Sequence, residues 1–189
     1  MPRSRQSFFD AVEISATIVL TLFLVFYING FLGGILNSFG ILPRTGWGLL
    51  GVLFSPLLHY NAAHLTTNGF SLFLLLTILF SHREYKPNAT LALIWLLSGL
   101  GTWLIGRAWD GGQPVVHIGA SGVIYGLVTY LVAAAWWLRS WRSALWAILI
   151  LFFYGGIFYG VLPQRGFISW EGHLSGAIAG VLVARRQHA

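Results

Sequence analysis

Most of this chain is laid out as long apolar segments broken by short polar connections. Such segments cannot be hidden inside a water-soluble fold. Charged residues make up 8% of the chain, against about 25% in soluble domains, so there is too little polar surface to cover a globule. A bilayer's hydrocarbon core is about 30 Å thick and takes about 20 apolar residues of helix to cross. Six segments reach or approach that length: residues 12–34, 61–81, 89–109, 119–138, 142–162 and 171–185, the last being short. In lipid every backbone N–H and C=O must be satisfied internally, and these segments lack the two-residue alternation of barrel strands. The expected fold class is therefore an all-α membrane protein, a six-transmembrane-helix bundle forming a single domain over residues 1–189.

Basic residues give the bundle a direction. With the N-terminus inside, the inner side carries Arg3, Arg5, Arg83, Lys86, Arg139, Arg142, Arg185 and Arg186, and the outer side Arg44, Arg107 and Arg165. That excess follows the positive-inside rule and predicts a multi-pass protein with both termini cytoplasmic; the expected location is a bacterial inner (plasma) membrane. Tryptophans mark the borders, Trp109 and Trp170 outside and Trp136, Trp137 and Trp141 inside. Arg3 and Arg5 precede a long apolar run with no A-x-A site after it, which reads as an uncleaved first span. The stretches 40–51 and 111–114, rich in Gly and Pro, read as outer loops, within a longest outer connection of about 35–58.

Several chemistries are excluded at this stage. There are no cysteines, hence no disulfide, thiol nucleophile or thiolate metal site. The net charge of +6 is spread between apolar segments rather than gathered in a patch, which argues against nucleic acid as a partner. His59 and His64 are five apart, not the i, i+4 spacing of helical metal ligands, and no H-E-x-x-H is present. No metal or other cofactor is expected.

The second, fourth and sixth spans all run inward, and their polar residues cluster near their outer ends. Counting about 1.5 Å per residue from the inner borders at Arg185, Trp136 and Ser81 places His173 about 18 Å, Ser121 about 22 Å and Asn68 about 20 Å up their helices. All three fall about 8–12 Å below the outer surface of a core about 30 Å thick. Polar groups at that depth are costly and face a bundle interior or a water-filled cavity.

A serine and a histidine in one layer can form a nucleophile–base dyad, the histidine taking the hydroxyl proton. No acid is placed as a third member: Asp10, Glu13 and Glu84 are on the inner side, and Asp110 and Glu171 lie at outer loop or helix-end positions. Tyr125, one turn below Ser121 on the same face, can stack on the imidazole. Acyl transfer also needs oxyanion donors. The Asn68 amide, His64 on the same face, and the Ser121 backbone N–H are candidates, the last because a helix's first N–H groups have no internal partner. Gly119 and Gly122 allow close backbone approach.

These residues give the chain a resemblance to the rhomboid intramembrane serine proteases over roughly residues 48–185. His59, His64 and Asn68 stand in an H-x4-H-x3-N arrangement, Gly119-Ala120-Ser121-Gly122 matches G-x-S-G with Tyr125 at the usual offset, and His173 with Gly176 and Gly180 matches H-x2-G-x3-G. The resemblance implies a six-helix rhomboid-like bundle with a water-filled cavity open to the outer face. It implies hydrolysis of peptide bonds in or near the transmembrane segments of membrane-protein substrates. It implies Ser121 as nucleophile, His173 as base, and His64 and Asn68 in the oxyanion hole. In the family, the fifth helix and an outer cap loop gate the substrate's approach; here these are about 142–162 and 162–170. One departure is visible. The family's Trp-Arg pair in the first outer loop is represented by Trp47-Gly48-Leu49-Leu50-Gly51, with no adjacent arginine.

Other readings of the same residues stay open. G-x-S-G inside a membrane helix also serves small-residue packing, His173 a packing or proton-relay role, and His64 and Asn68 helix capping or polar glue. Tyr125 also fits plain packing, and His59 fits support of the loop or helix start. His82, His117 and His188 read as loop or tail residues without a role. A non-proteolytic rhomboid-like binder of membrane proteins is the alternative function, and a small transporter or proton pathway a third. Substrate identity and oligomeric state are not legible.

Overall fold

Helices dominate the chain because its apolar segments have no other way to satisfy their backbones in lipid. The computed structural model describes residues 8–164 and 168–189, so Arg3, Arg5 and Arg165 lie outside the described residues. The helices are α1 (Phe8–Phe31), α2 (Leu50–Phe54), α3 (Ala62–Ser81), α4 (Pro87–Ile105), α5 (Ser121–Leu138), α6 (Trp141–Tyr154) and α7 (Trp170–His188). Among the described residues, five helices are long and apolar enough to cross a membrane: α1, α3, α4, α5, and α6 with its continuation to Val161. The α7 helix has comparable length, but Glu171, His173, Ser175, Arg185 and Arg186 make it more polar than the others.

Helix ends are set by local chemistry. Asn61 caps α3, its side chain accepting from the His64 N–H at 2.8 Å, and Ser169 caps α7 by accepting from the Gly172 N–H at 3.2 Å. Pro87 opens α4, where its missing N–H costs nothing. The expected third span reached residue 109, yet α4 ends at Ile105. Gly106 caps it, and Trp109–Asp110 pairs with Gln113–Pro114 as a minute antiparallel hairpin, β1 and β2, turning on Gly111 and Gly112 at positive φ. The first span is likewise shifted, from 12–34 to 8–31, because Gly33 and Gly34 adopt left-handed backbone and stop it.

The long first connection is not an open loop. It contains 3-10 turns at Ile35–Phe39, Trp47–Leu49 and Ser55–Leu57 around α2. It is also firmly held without an arginine beside Trp47. Arg44, at φ 58°, donates to the carbonyls of Leu104 (3.0 Å) and Gly106 (2.8 Å), while Trp47 Nε1 donates to Ser38 O at 3.1 Å. Three residues of separation replace adjacency, and the arginine grips the C-terminal end of α4.

Lipid tails are as apolar as leucine, so helices in a bilayer associate through close packing and hydrogen bonds rather than through water exclusion. The centre of this bundle follows that rule. The α5 helix packs most extensively on α7, and is flanked by α3, α4 and α6. The α1 helix leans on α3, and α6 touches chiefly α5. Gly176 faces the Gly122 carbonyl and Gly180 the Gly126 carbonyl, so closely that a Cβ at either α7 position would overlap backbone. At the end of the bundle away from Ser121, the Tyr130 hydroxyl lies 2.8 Å from Tyr85 O and 2.9 Å from Gln187 Oε1, tying α5 to the α3–α4 turn and to the end of α7.

Candidate active site

Ser121 is the first residue of α5, and the strand of chain before it is strapped from three sides. His117 and Ile41 exchange backbone hydrogen bonds at 2.8 and 2.9 Å, the Gly119 N–H donates to Ser55 O at 2.9 Å, and the Tyr60 hydroxyl donates to Val116 O at 2.7 Å. Gly119 sits at φ 119°, a conformation that other residues avoid, and a Cβ there would meet the His64 imidazole. Gly122 in turn leaves room for Ser98 Oγ and the Gly172 carbonyl. The small residues of this motif are therefore required by contact as well as by backbone freedom.

His173 lies one turn into α7, which the glycine contacts hold against α5. Its Nε2 is 3.0 Å from Ser121 Oγ, and its Nδ1 is 3.0 Å from the Gly160 carbonyl. A carbonyl only accepts, so Nδ1 carries the proton and Nε2 is left to accept from the serine hydroxyl. That is the tautomer a general base needs. The Tyr125 ring stacks on the imidazole, with centroids 4.1 Å apart and planes 9° from parallel. Gly160 is a residue the sequence did not single out. A Cβ on it would collide with the Tyr125 hydroxyl and lie 3.2 Å from His173 Nδ1.

On the opposite side of Ser121, His64 and Asn68 both face Gly119. Asn68 is buried, and its amide nitrogen donates to Nε2 of His59 at 3.1 Å. His59 is 1% exposed and its ring packs edge-on against His64 with centroids 5.1 Å apart. Burial, reinforced by the neighbouring His64, pushes the His59 pKa down to about 4. A neutral His59 can accept from Asn68; a protonated one would present a second donor to it. His59 thus does more than support a helix start: it fixes the rotation of the Asn68 amide.

All five residues Ser121, His173, Tyr125, Asn68 and His64 line one cavity of about 1100 Å³, which extends to the β1–β2 hairpin. His117, given no role from sequence, has Nδ1 at 2.6 Å from Ser169 Oγ and Nε2 at 2.9 Å from Arg107 O, linking the segment before Ser121 to the start of α7. Burial lowers its pKa as well. Nothing in its local sequence signalled this bridge, because Ser169 is distant along the chain and the Arg107 partner is a backbone carbonyl.

Comparison with known proteins places these motifs in context. Residues 45–188 match the model of the rhomboid domain. An uncharacterized protein of Mycobacterium tuberculosis is 42% identical over 171 residues, covering 89% of this chain and 71% of the relative. A counterpart in Mycobacterium leprae is 34% identical over 171 residues, covering 89% and 68%. A protein of Acanthamoeba polyphaga mimivirus that carries a provisional rhomboid name is 28% identical over 141 residues, covering 72% and 74%. With most of its length matched by the domain, this multi-pass membrane protein belongs to the rhomboid family.

Proposed function

We propose that the protein is an intramembrane serine endopeptidase that hydrolyses peptide bonds in or near the transmembrane segments of membrane proteins. The observation that carries this reading is the 3.0 Å contact between His173 Nε2 and Ser121 Oγ, with the Nδ1 proton engaged by Gly160 O. His173 accepts the serine proton as Oγ attacks the scissile carbonyl, then passes it to the leaving amine. The resulting ester is cleaved by a water that His173 deprotonates in the same way. The carbonyl oxygen, negative in each tetrahedral intermediate, is met by the Ser121 N–H, the Asn68 amide and His64. The partner of His173 Nδ1 is Gly160 O rather than a carboxylate, so the pair works as a dyad with that carbonyl in the orienting position.

The membrane arrangement that goes with this reading has six spans, α7 being the sixth, within one domain. Glu171, His173 and Ser175 are tolerated because they face α4, α5 and the cavity, while Arg185 and Arg186 are exposed at the far end of the helix. Both termini lie in the cytoplasm, the cavity opens to the outer face, and the mycobacterial relatives favour a bacterial plasma membrane. The partners are membrane-spanning substrates and the surrounding lipid.

The test is cleavage of a fluorogenic transmembrane substrate in proteoliposomes, alongside labelling by a fluorophosphonate. Wild-type protein is expected to cleave and to be labelled on Ser121. Full activity in Ser121→Ala or in His173→Ala, or labelling that persists in Ser121→Ala, would sink the reading.

A further inference from the structure

The base helix begins at a polar knot that lies outside the dyad. Arg107, just beyond the end of α4, engages its neighbours through its backbone N–H, its carbonyl and its terminal guanidinium nitrogens. Its backbone N–H donates to Glu171 Oε1 at 3.2 Å and its carbonyl accepts from His117 Nε2 at 2.9 Å. Its guanidinium donates to Gln164 O at 3.0 Å and Ile168 O at 2.6 Å, on the approach to α7. Glu171 is 2% exposed, and its Oε1 also lies 3.7 Å from Arg107 Nε. Ser169 completes the knot. It meets His117 through its hydroxyl, which also accepts from Gly172, and its carbonyl accepts from the His173 N–H at 3.1 Å.

A buried carboxylate is retained only where its partners compensate for lost hydration. This one sits two residues before His173, in the first turn of the helix that carries the imidazole. The first turn has no internal N–H bonds to steady it, so its position depends on such outside contacts. The imidazole must also hold within a few tenths of an ångström of Ser121 Oγ, since a misplacement of about 1 Å costs about 100-fold in rate.

The geometry points to Arg107 and Glu171 as positioning residues of the base: they fix the start of α7, and through it His173 over Ser121. Rigid placement of the imidazole then comes from α4 and its following turn, not from a third catalytic side chain. This rests on the protease reading given above.

The experiment uses the full chain in proteoliposomes and compares wild type with Glu171→Ala, Glu171→Gln and Arg107→Lys. Glu171→Ala is expected to lower kcat about 10- to 100-fold with KM within about threefold of wild type. The fluorophosphonate labelling rate should fall in parallel, while the fraction of protein finally labelled stays the same. Glu171→Gln keeps an acceptor for the Arg107 N–H and should recover most of the lost rate. If Glu171→Ala does not accumulate, Arg107→Lys carries the same expectation, since an ammonium cannot span both carbonyls. A kcat within about threefold of wild type in whichever variant folds overturns the proposal. So does a loss explained entirely by a smaller labelled fraction, or a glutamine variant as slow as the alanine. Wild-type protein that neither cleaves nor labels would instead defeat the protease reading itself.

Discussion

A serine hydroxyl in an apolar layer is inert until something takes its proton. In the proposed dyad His173 is the group that does so, since Gly160 O engages Nδ1 and leaves Nε2 facing Ser121. Replacing either partner by alanine is expected to abolish cleavage while protein still accumulates, as read by substrate turnover and membrane yield. Removing one oxyanion donor typically costs about 10²–10³-fold in kcat, and Asn68→Ala is expected to fall in that range with KM little changed. His59 gives a separate, pH-dependent expectation. Its pKa is lowered to about 4 by burial, so the unfolded chain binds this proton more readily than the folded one. The associated stability is complete above the ordinary histidine pKa of about 6.5 and is lost as pH falls from there toward about 4. His59→Gln keeps an acceptor for Asn68 without a titrating ring. Its melting temperature should therefore decline less than that of wild type over this range, and an equal decline would place the sensitivity elsewhere.

The dyad joins two helices, and glycines set the distance between them. The motif glycines were legible in the sequence, but their partners were not. Gly176 lies on the Gly122 carbonyl, while Gly180 lies on that of Gly126, a residue outside the quoted G-x-S-G string. Overpacking a tight contact of this kind costs about 1–3 kcal/mol. Gly176→Ala is expected to lose stability in that range and also to lower kcat, since α7 must move away from Ser121; thermal unfolding and turnover on one preparation check both. Gly160 acts at the end of a different element. Gly160→Ala would drive a methyl into the Tyr125 hydroxyl and is expected to lower kcat by about 10-fold or more with little change in yield.

The bundle as a whole has one organising asymmetry. The helices carrying the polar residues, α3, α5 and α7, line the cavity together with Phe153 and Tyr154 at the end of α6, whereas most of α1 and α6 is exposed on the bundle's surface. Because the chain has no cysteine, single cysteines report topology without background. With six spans and inner termini, a cysteine at Asp110 should react with an impermeant maleimide applied from outside intact cells. One at Lys86 or His188 should react only after permeabilisation. Outside labelling of the position-188 cysteine would rule out the six-span arrangement.

The sequence by itself determined the membrane class and the helical backbone, and it singled out Ser121, His173, His64 and Asn68 as the candidate set. Each follows from apolar length, helix period and motif spacing, which are local properties. Only the tertiary structure decided the rest: the Gly160 carbonyl on His173, the hold of His59 on Asn68, the grip of Arg44 on α4, and the knot of Arg107, Glu171, His117 and Ser169. Each of these joins residues from different elements, largely through backbone carbonyls, and no side-chain pattern along a chain reveals which carbonyl will be in reach once helices pack. The ends of the first and third helices moved for a related reason. Hydropathy continues past residues 31 and 105, but glycines and the hydrogen bonds beyond them end the helices there.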